Sequence, residues 1–178
     1  MAAIANDAIE VFGKGVLQAE GVVIDKEGNA WGGGRNGKVY KVSPDGKVHE
    51  VCQLPEGSIP NGVALDRAGN FVYCDLGKQA VMKCAPDGKV SLIADRVGEV
   101  KLTLPNFCSY DAEGNLYISN SSTEDISKVL GEITTPSPKG ALVRVRPDGR
   151  GDVVATGLYL ANGTAIDPNE DAVYVLES

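Results

Sequence analysis

The sequence predicts an all-β fold, a β-propeller of four-stranded blades, on three observations. A hairpin motif recurs four times, at 20–33 (EGVVIDKEGNAWGG), 60–75 (PNGVALDRAGNFVYCD), 105–120 (PNFCSYDAEGNLYISN) and 161–177 (ANGTAIDPNEDAVYVLE). Each copy sets apolar residues at period two on both sides of an Asp-x-x-Gly-Asn turn, written Asp-Pro-Asn-Glu-Asp in the last copy; this reads as strand, tight turn, strand. In three copies a further short strand follows and ends in Pro-Asp-Gly, at Pro44, Pro86 and Pro147, and a fourth apolar strand comes next, at 47–54, 89–94 and 150–155. The turn aspartates Asp25, Asp66, Asp111 and Asp167 recur at intervals of 41, 45 and 56 residues, the period of propeller blades.

Taken in order, 8–13 (AIEVFG) alternates and precedes the first hairpin, so it is expected as the outer strand of a closing blade begun elsewhere in the chain. Blade one is expected over 20–54, blade two over 61–94 and blade three over 106–155. The third interval is long because 123–139 is inserted there, a candidate loop over one face of the kind that carries function. The fourth blade, 162–178, holds only two strands. About three and a half blades do not close a ring, and they leave unpaired strand edges and apolar blade faces. Three expectations follow: a piece of a longer protein lacking about 100–120 residues, a half-ring that closes as a homo-oligomer with a second copy, or a compact open array.

The composition is that of a globular β protein, 43% apolar and 23% charged with 22 glycines. A net charge of −7 without a cluster of Lys or Arg speaks against nucleic acid and anionic membranes as partners. The first residues, MAAIANDAIEVFGKG, lack the basic start and apolar stretch of a signal peptide, and no run of about 18 apolar residues occurs. A cytoplasmic location is therefore expected. Cys52, Cys74, Cys84 and Cys108 fall at strand positions without Cys-x-x-Cys spacing and are expected as buried reduced thiols. The single histidine, His49, is expected to face solvent on the outer strand of blade one, and with no Gly-x-Ser-x-Gly elbow a Ser-His-Asp triad is disfavoured. Trp31 is expected to pack between blades.

In a propeller the first strand of each blade lines the central channel, so the residues at its start converge. Here they are Glu20, Asn61, Asn106 and Asn162. One carboxylate and three amides are a set of oxygen donors suited to a hard divalent cation. The competing reading makes Glu-Gly and Asn-Gly turn residues entering a strand; Glu20 fits that less well, because Glu has no special turn chemistry.

These motifs, from AEGVVID through PNGVALDRAGN and LPNFCSYDAEGNLYISN to LANGTAIDPNEDAVYVLES, resemble the superfamily of gluconolactonase, senescence marker protein and luciferin-regenerating enzyme. Its members are six-bladed propellers related to the staphylococcal drug-responsive lactonase and to strictosidine synthase. The resemblance implies that Glu20 and Asn162 are ligands of one divalent metal, Ca²⁺ before Zn²⁺ or Mg²⁺. It also implies that Asn106 holds substrate or water and that Glu124 reaches the substrate, while Asn61 is expected to line the channel from its place at the start of an inner strand. The family's aspartate ligand from the fifth blade, which would serve as base, would lie beyond Ser178. Where sugar-lactone members often carry an arginine, this chain has Leu104, which shifts the expected substrate toward a more apolar lactone or ester. The implied function is metal-dependent hydrolysis of a small-molecule lactone or ester. The alternative is a non-catalytic propeller, either a binding module or an inactive remnant.

Overall fold

The computed structural model describes residues 8, 10–124, 127–128, 134–135 and 137–178. Three four-stranded antiparallel sheets follow one another along the chain. The first is β1 to β4 (Val23–Ile24, Ala30–Gly33, Lys38–Val42, Val48–Gln53) and the second β5 to β8 (Pro60–Leu65, Phe71–Asp75, Ala80–Cys84, Val90–Ala94). After a short hairpin of β9 and β10 (Arg96–Val97, Val100–Lys101), the third runs from β11 to β14 (Pro105–Tyr110, Leu116–Asn120, Gly140–Val145, Gly151–Leu158). A two-stranded sheet of β15 and β16 (Ala161–Ile166, Val173–Glu177) ends the chain. Each sheet is a meander in sequence order, the form of a propeller blade.

The repeated turn owes its shape to its aspartate. Asp25 Oδ1 accepts the backbone N–H groups of Glu27 and Asn29 at 3.0 and 2.8 Å, and Oδ2 accepts Asn29 Nδ2 at 2.8 Å. Asp66 and Asp111 repeat that arrangement with Ala68 and Asn70 and with Glu113 and Asn115. In these turns Gly28, Gly69 and Gly114 take φ of 83°, 79° and 87°, a region open to glycine at little cost. In the fourth copy Glu170 takes that place at φ 62°.

The apolar cores lie at the joints between blades. One joins blades one and two through Val39, Leu54, Val63, Phe71, Tyr73 and Cys84. The other joins blades two and three and includes Val72, Cys74, Cys108, Ile118 and Val143. The joint between blades three and four is polar instead: Ser109 Oγ lies 3.0 Å from Thr164 Oγ1, and Ser119 Oγ and Ser121 Oγ donate to the carbonyls of Asn162 and Ala161 at 2.5 and 2.7 Å. Trp31 stands in the first joint, its ring 6.4 Å from that of Phe71 and its Nε1 donating to Asp25 Oδ2 at 2.7 Å. His49 is exposed on β4.

Of the segment 8–13, residue 9 lies outside the described set; residues 8 and 10–13 join no strand ladder, and Val11 and Phe12 are exposed. Blade one was expected to open its first strand at Glu20, but the β1 ladder covers only Val23–Ile24. The hairpin of β9 and β10 was not foreseen; it drives Val97 and Val100 into the second core. Of the insertion 123–139, residues 125–126, 129–133 and 136 lie outside the described set. Its two feet are tied by the Thr123 N–H to the Lys139 carbonyl at 3.0 Å. Among the described residues no helix is long and apolar enough to cross a membrane.

Candidate functional site

The site is built where the inner strands β5, β11 and β15 begin. In each the ladder slips at one place, between Pro60 and Val63, between Pro105 and Cys108, and between Ala161 and Thr164. Asn61-Gly62, Asn106-Phe107 and Asn162-Gly163 occupy those irregularities. A bulge of this kind re-aims the residue it carries and is often found beside a functional centre. The turn reading of the Asn-Gly pairs fails here, because all four residues lie within strands and none has positive φ.

Glycine serves a different purpose at these positions, the close approach of neighbouring blades. A Cβ on Gly21 would sit 2.7 Å from the Asn61 carbonyl oxygen, and one on Gly62 would sit 2.5 Å from the Asn106 carbonyl oxygen and 2.4 Å from Phe107 Cα. Each inner strand therefore starts against the backbone of the next, which sets Glu20 beside the head of blade two and Asn61 beside that of blade three.

Hydrogen bonds link part of this rim. Asn61 Nδ2 donates to the carbonyl and to Oδ1 of Asn106, at 3.1 and 3.0 Å. Asn106 Nδ2 donates to Ser121 Oγ at 2.8 Å, and Ser121 Oγ in turn donates to the Ala161 carbonyl. Asn162 Nδ2 donates to Ser178 Oγ at 3.0 Å. The amide nitrogens are thus spent on protein partners, while Oδ1 of Asn61, Oδ1 of Asn162 and the exposed carboxylate of Glu20 have no hydrogen-bond partner among the described residues. That donor set, oxygens only, fits a hard cation. Among the described residues no three His, Cys, Asp or Glu side chains gather closely enough to hold a metal by themselves, so any ion at this rim would rest largely on amide oxygens.

Glu124 stands apart from this network. It follows Ser121 by three residues and is gripped by Lys139 Nζ at 2.5 Å and Lys128 Nζ at 3.6 Å. The Lys139 hydrogen bond and charge, with Lys128 adding to them, hold its carboxyl below the usual carboxylate range. Leu104 is half-buried, its N–H fixed by Asn120 Oδ1 at 3.0 Å. Sequence reasoning missed Ser119 and Ser121, which tie blade three to blade four; the available signal was the polar run Ser119-Asn120-Ser121-Ser122, where blade two has Cys74-Asp75-Leu76-Gly77. An apolar groove of about 350 Å³ lies at the opposite end of blades two and three, between the turns of Asp66 and Asp111. Those two carboxylates are already spent in their turns.

Comparison with known proteins agrees with this architecture. Residues 18–178 match the family model described as the SMP-30/Gluconolactonase/LRE-like region. A gluconolactonase of Zymomonas mobilis subsp. mobilis is 26% identical over 96% of this chain and 51% of its own length. The chain therefore spans about half the length of that curated relative. Among solved structures, a gluconolactonase from Xanthomonas campestris superposes with a TM-score of 0.72 at 21% identity, over 92% of this chain and 55% of its own. Virginiamycin B lyase from Staphylococcus aureus superposes with a TM-score of 0.64 at 16% identity, over 88% and 47%. At such identities these structures speak to fold, and one fold here serves two chemistries.

Proposed function

Since the chain belongs to the SMP-30/Gluconolactonase/LRE-like family, we propose that it supplies the channel rim of a lactone-hydrolysing propeller, in which Glu20 and Asn162 hold a divalent ion, Ca²⁺ before Zn²⁺ or Mg²⁺, and Asn106 and Glu124 face the substrate. The observation that carries this reading is the set of rim oxygens, Glu20, Asn61 Oδ1 and Asn162 Oδ1, left open while the neighbouring amide nitrogens are fixed by hydrogen bonds. An ion held by them would polarise the lactone carbonyl as a Lewis acid.

The chain's own residues bind and orient. Asn61 and Ser121 hold Asn106 from both sides, so its position is fixed before a ligand arrives, at a lower entropic cost on binding. Glu124 accepts a substrate hydroxyl once Lys139 yields one carboxylate oxygen. Leu104 gives the rim an apolar edge, which favours a lactone less hydroxylated than a sugar lactone. The proton-accepting carboxylate is assigned to a further blade, because Glu20 as a ligand is a poor base.

Hydrolysis of gluconolactone and of an alkyl-substituted lactone by a ring that joins this chain to the blade with the proton-accepting carboxylate, followed with a pH indicator before and after chelation, tests the proposal. The expected outcome is chelator-sensitive turnover that favours the alkyl lactone, with Leu104→Arg moving the preference toward gluconolactone. Failure to turn over either lactone, with or without added Ca²⁺, would favour a non-catalytic binding module.

A further inference from the structure

Cys52 and Cys84 are 32 residues apart in sequence, yet their sulfurs stand 2.9 Å apart across the joint of blades one and two. Cys52 lies on β4, opposite Val39, and Cys84 ends β7, opposite Phe71 and Val90. Both belong to the first interblade core, where Val39, Leu54, Phe71 and Tyr73 surround them. Cys84 is buried and Cys52 is half-buried, so Cys52 is the residue of the pair nearer the surface. Two uncharged sulfurs in ordinary contact sit farther apart than this, and a small closing movement would bring them to bonding distance.

We propose that Cys52 and Cys84 are a thiol–disulfide exchange site, closed by a small disulfide of the glutathione class into a bond that staples blade one to blade two. The balance is simple. The Cys52 thiolate attacks one sulfur of oxidised glutathione, forming a mixed disulfide and releasing one glutathione thiolate. Cys84, as thiolate, then attacks Cys52 Sγ and expels the second glutathione thiolate. Two protein thiols are oxidised, one glutathione disulfide is reduced to two thiols, and the two protons lost by the cysteines end on glutathione.

Burial, with the hydrogen bond and charge of Cys84 behind it, pushes the Cys52 thiol up to about 12. Tyr73 also stands beside the pair, its own phenol raised chiefly by burial. Exchange is therefore slow at neutral pH and is best run on the alkaline side. Cys74 and Cys108, both buried in the second interblade core, serve as an internal control. This inference stands apart from the reading of the rim and does not depend on lactone hydrolysis.

The test is incubation of the reduced 178-residue chain with oxidised glutathione at pH about 9, followed by acid quenching, alkylation and non-reducing peptide mapping. The expected result is a peptide pair linked through Cys52 and Cys84, loss of two of the four thiols, and reversal by dithiothreitol. The linked form should melt roughly 5–10 °C higher, since the bond closes a long loop of the unfolded chain. In Cys84→Ser the reaction should stop with one glutathione on Cys52, and in Cys52→Ser no adduct should form in the folded protein. Four thiols remaining in the wild type, a glutathione adduct on Cys52 that Cys84 never displaces, or a link through Cys74 or Cys108 would each overturn the proposal.

Discussion

Asp25 accepts four hydrogen bonds, from two backbone N–H groups, the Asn29 amide and the Trp31 indole, and so joins a turn to the aromatic stack of the first interblade joint. Partial desolvation pushes its carboxyl up, but the Trp31, Asn29 and backbone hydrogen bonds outweigh that and bring it from 3.8 down to about 2. A carboxyl lowered on folding stabilises the native state at pH above its unfolded value and loses that contribution as pH falls through the folded one. Asp25→Asn should therefore melt below the wild type at pH 7, with the gap closing between about pH 4 and pH 2. Thermal melts of the two proteins across that range check it, and a gap that stays constant would contradict the assignment. The Asp-x-x-Gly-Asn turn was legible in the sequence because its chemistry is local, completed within five residues. The Asn61–Asn106 bond was not, since its partners lie 45 residues apart and meet only through a ladder slip that no local pattern announces.

At the scale of the strand, Gly62 and Gly163 hold equivalent positions with opposite surroundings. Gly62 lies against the backbone of blade three, whereas a Cβ on Gly163 would meet only Leu176, at 3.5 Å. Gly62→Ala should lower stability by about 1–3 kcal/mol or more, because backbone must move to admit the methyl. Gly163→Ala should be neutral or raise stability by up to about 1 kcal/mol through the unfolded chain. Urea denaturation midpoints of both variants decide this, and equal losses would contradict the interblade contact. Period-two patterning did specify which residues of β5, β6 and β11 are apolar, and so the blades themselves. It left open which blade each face would meet, so the placement of the cores between blades, the pairing of Cys52 with Cys84 and the serine-lined third joint became visible only in three dimensions.

Across the whole molecule, the two terminal blades show what a joint normally covers. Val63 and Cys108, at equivalent places in blades two and three, are 6% and 3% exposed, whereas Val22 in blade one is 64% exposed. At the other end Tyr174 and Leu176 are 58% and 67% exposed, although Val72 and Cys74, which match them in blade two, are fully buried. Both terminal faces thus leave open the apolar positions that a neighbouring blade buries elsewhere in the chain. The proposed ion site requires Glu20, Asn61 and Asn162 to form one oxygen-donor rim. Calorimetric titration of the purified 178-residue chain with Ca²⁺, with Mg²⁺ and Zn²⁺ for comparison, is the decisive experiment. With a single carboxylate in the set, one weak site is expected, with a Kd of roughly 10⁻⁴ to 10⁻³ M, abolished by Glu20→Gln and weakened by Asn162→Ala. No heat of binding, or a site that Glu20→Gln leaves unchanged, would contradict it.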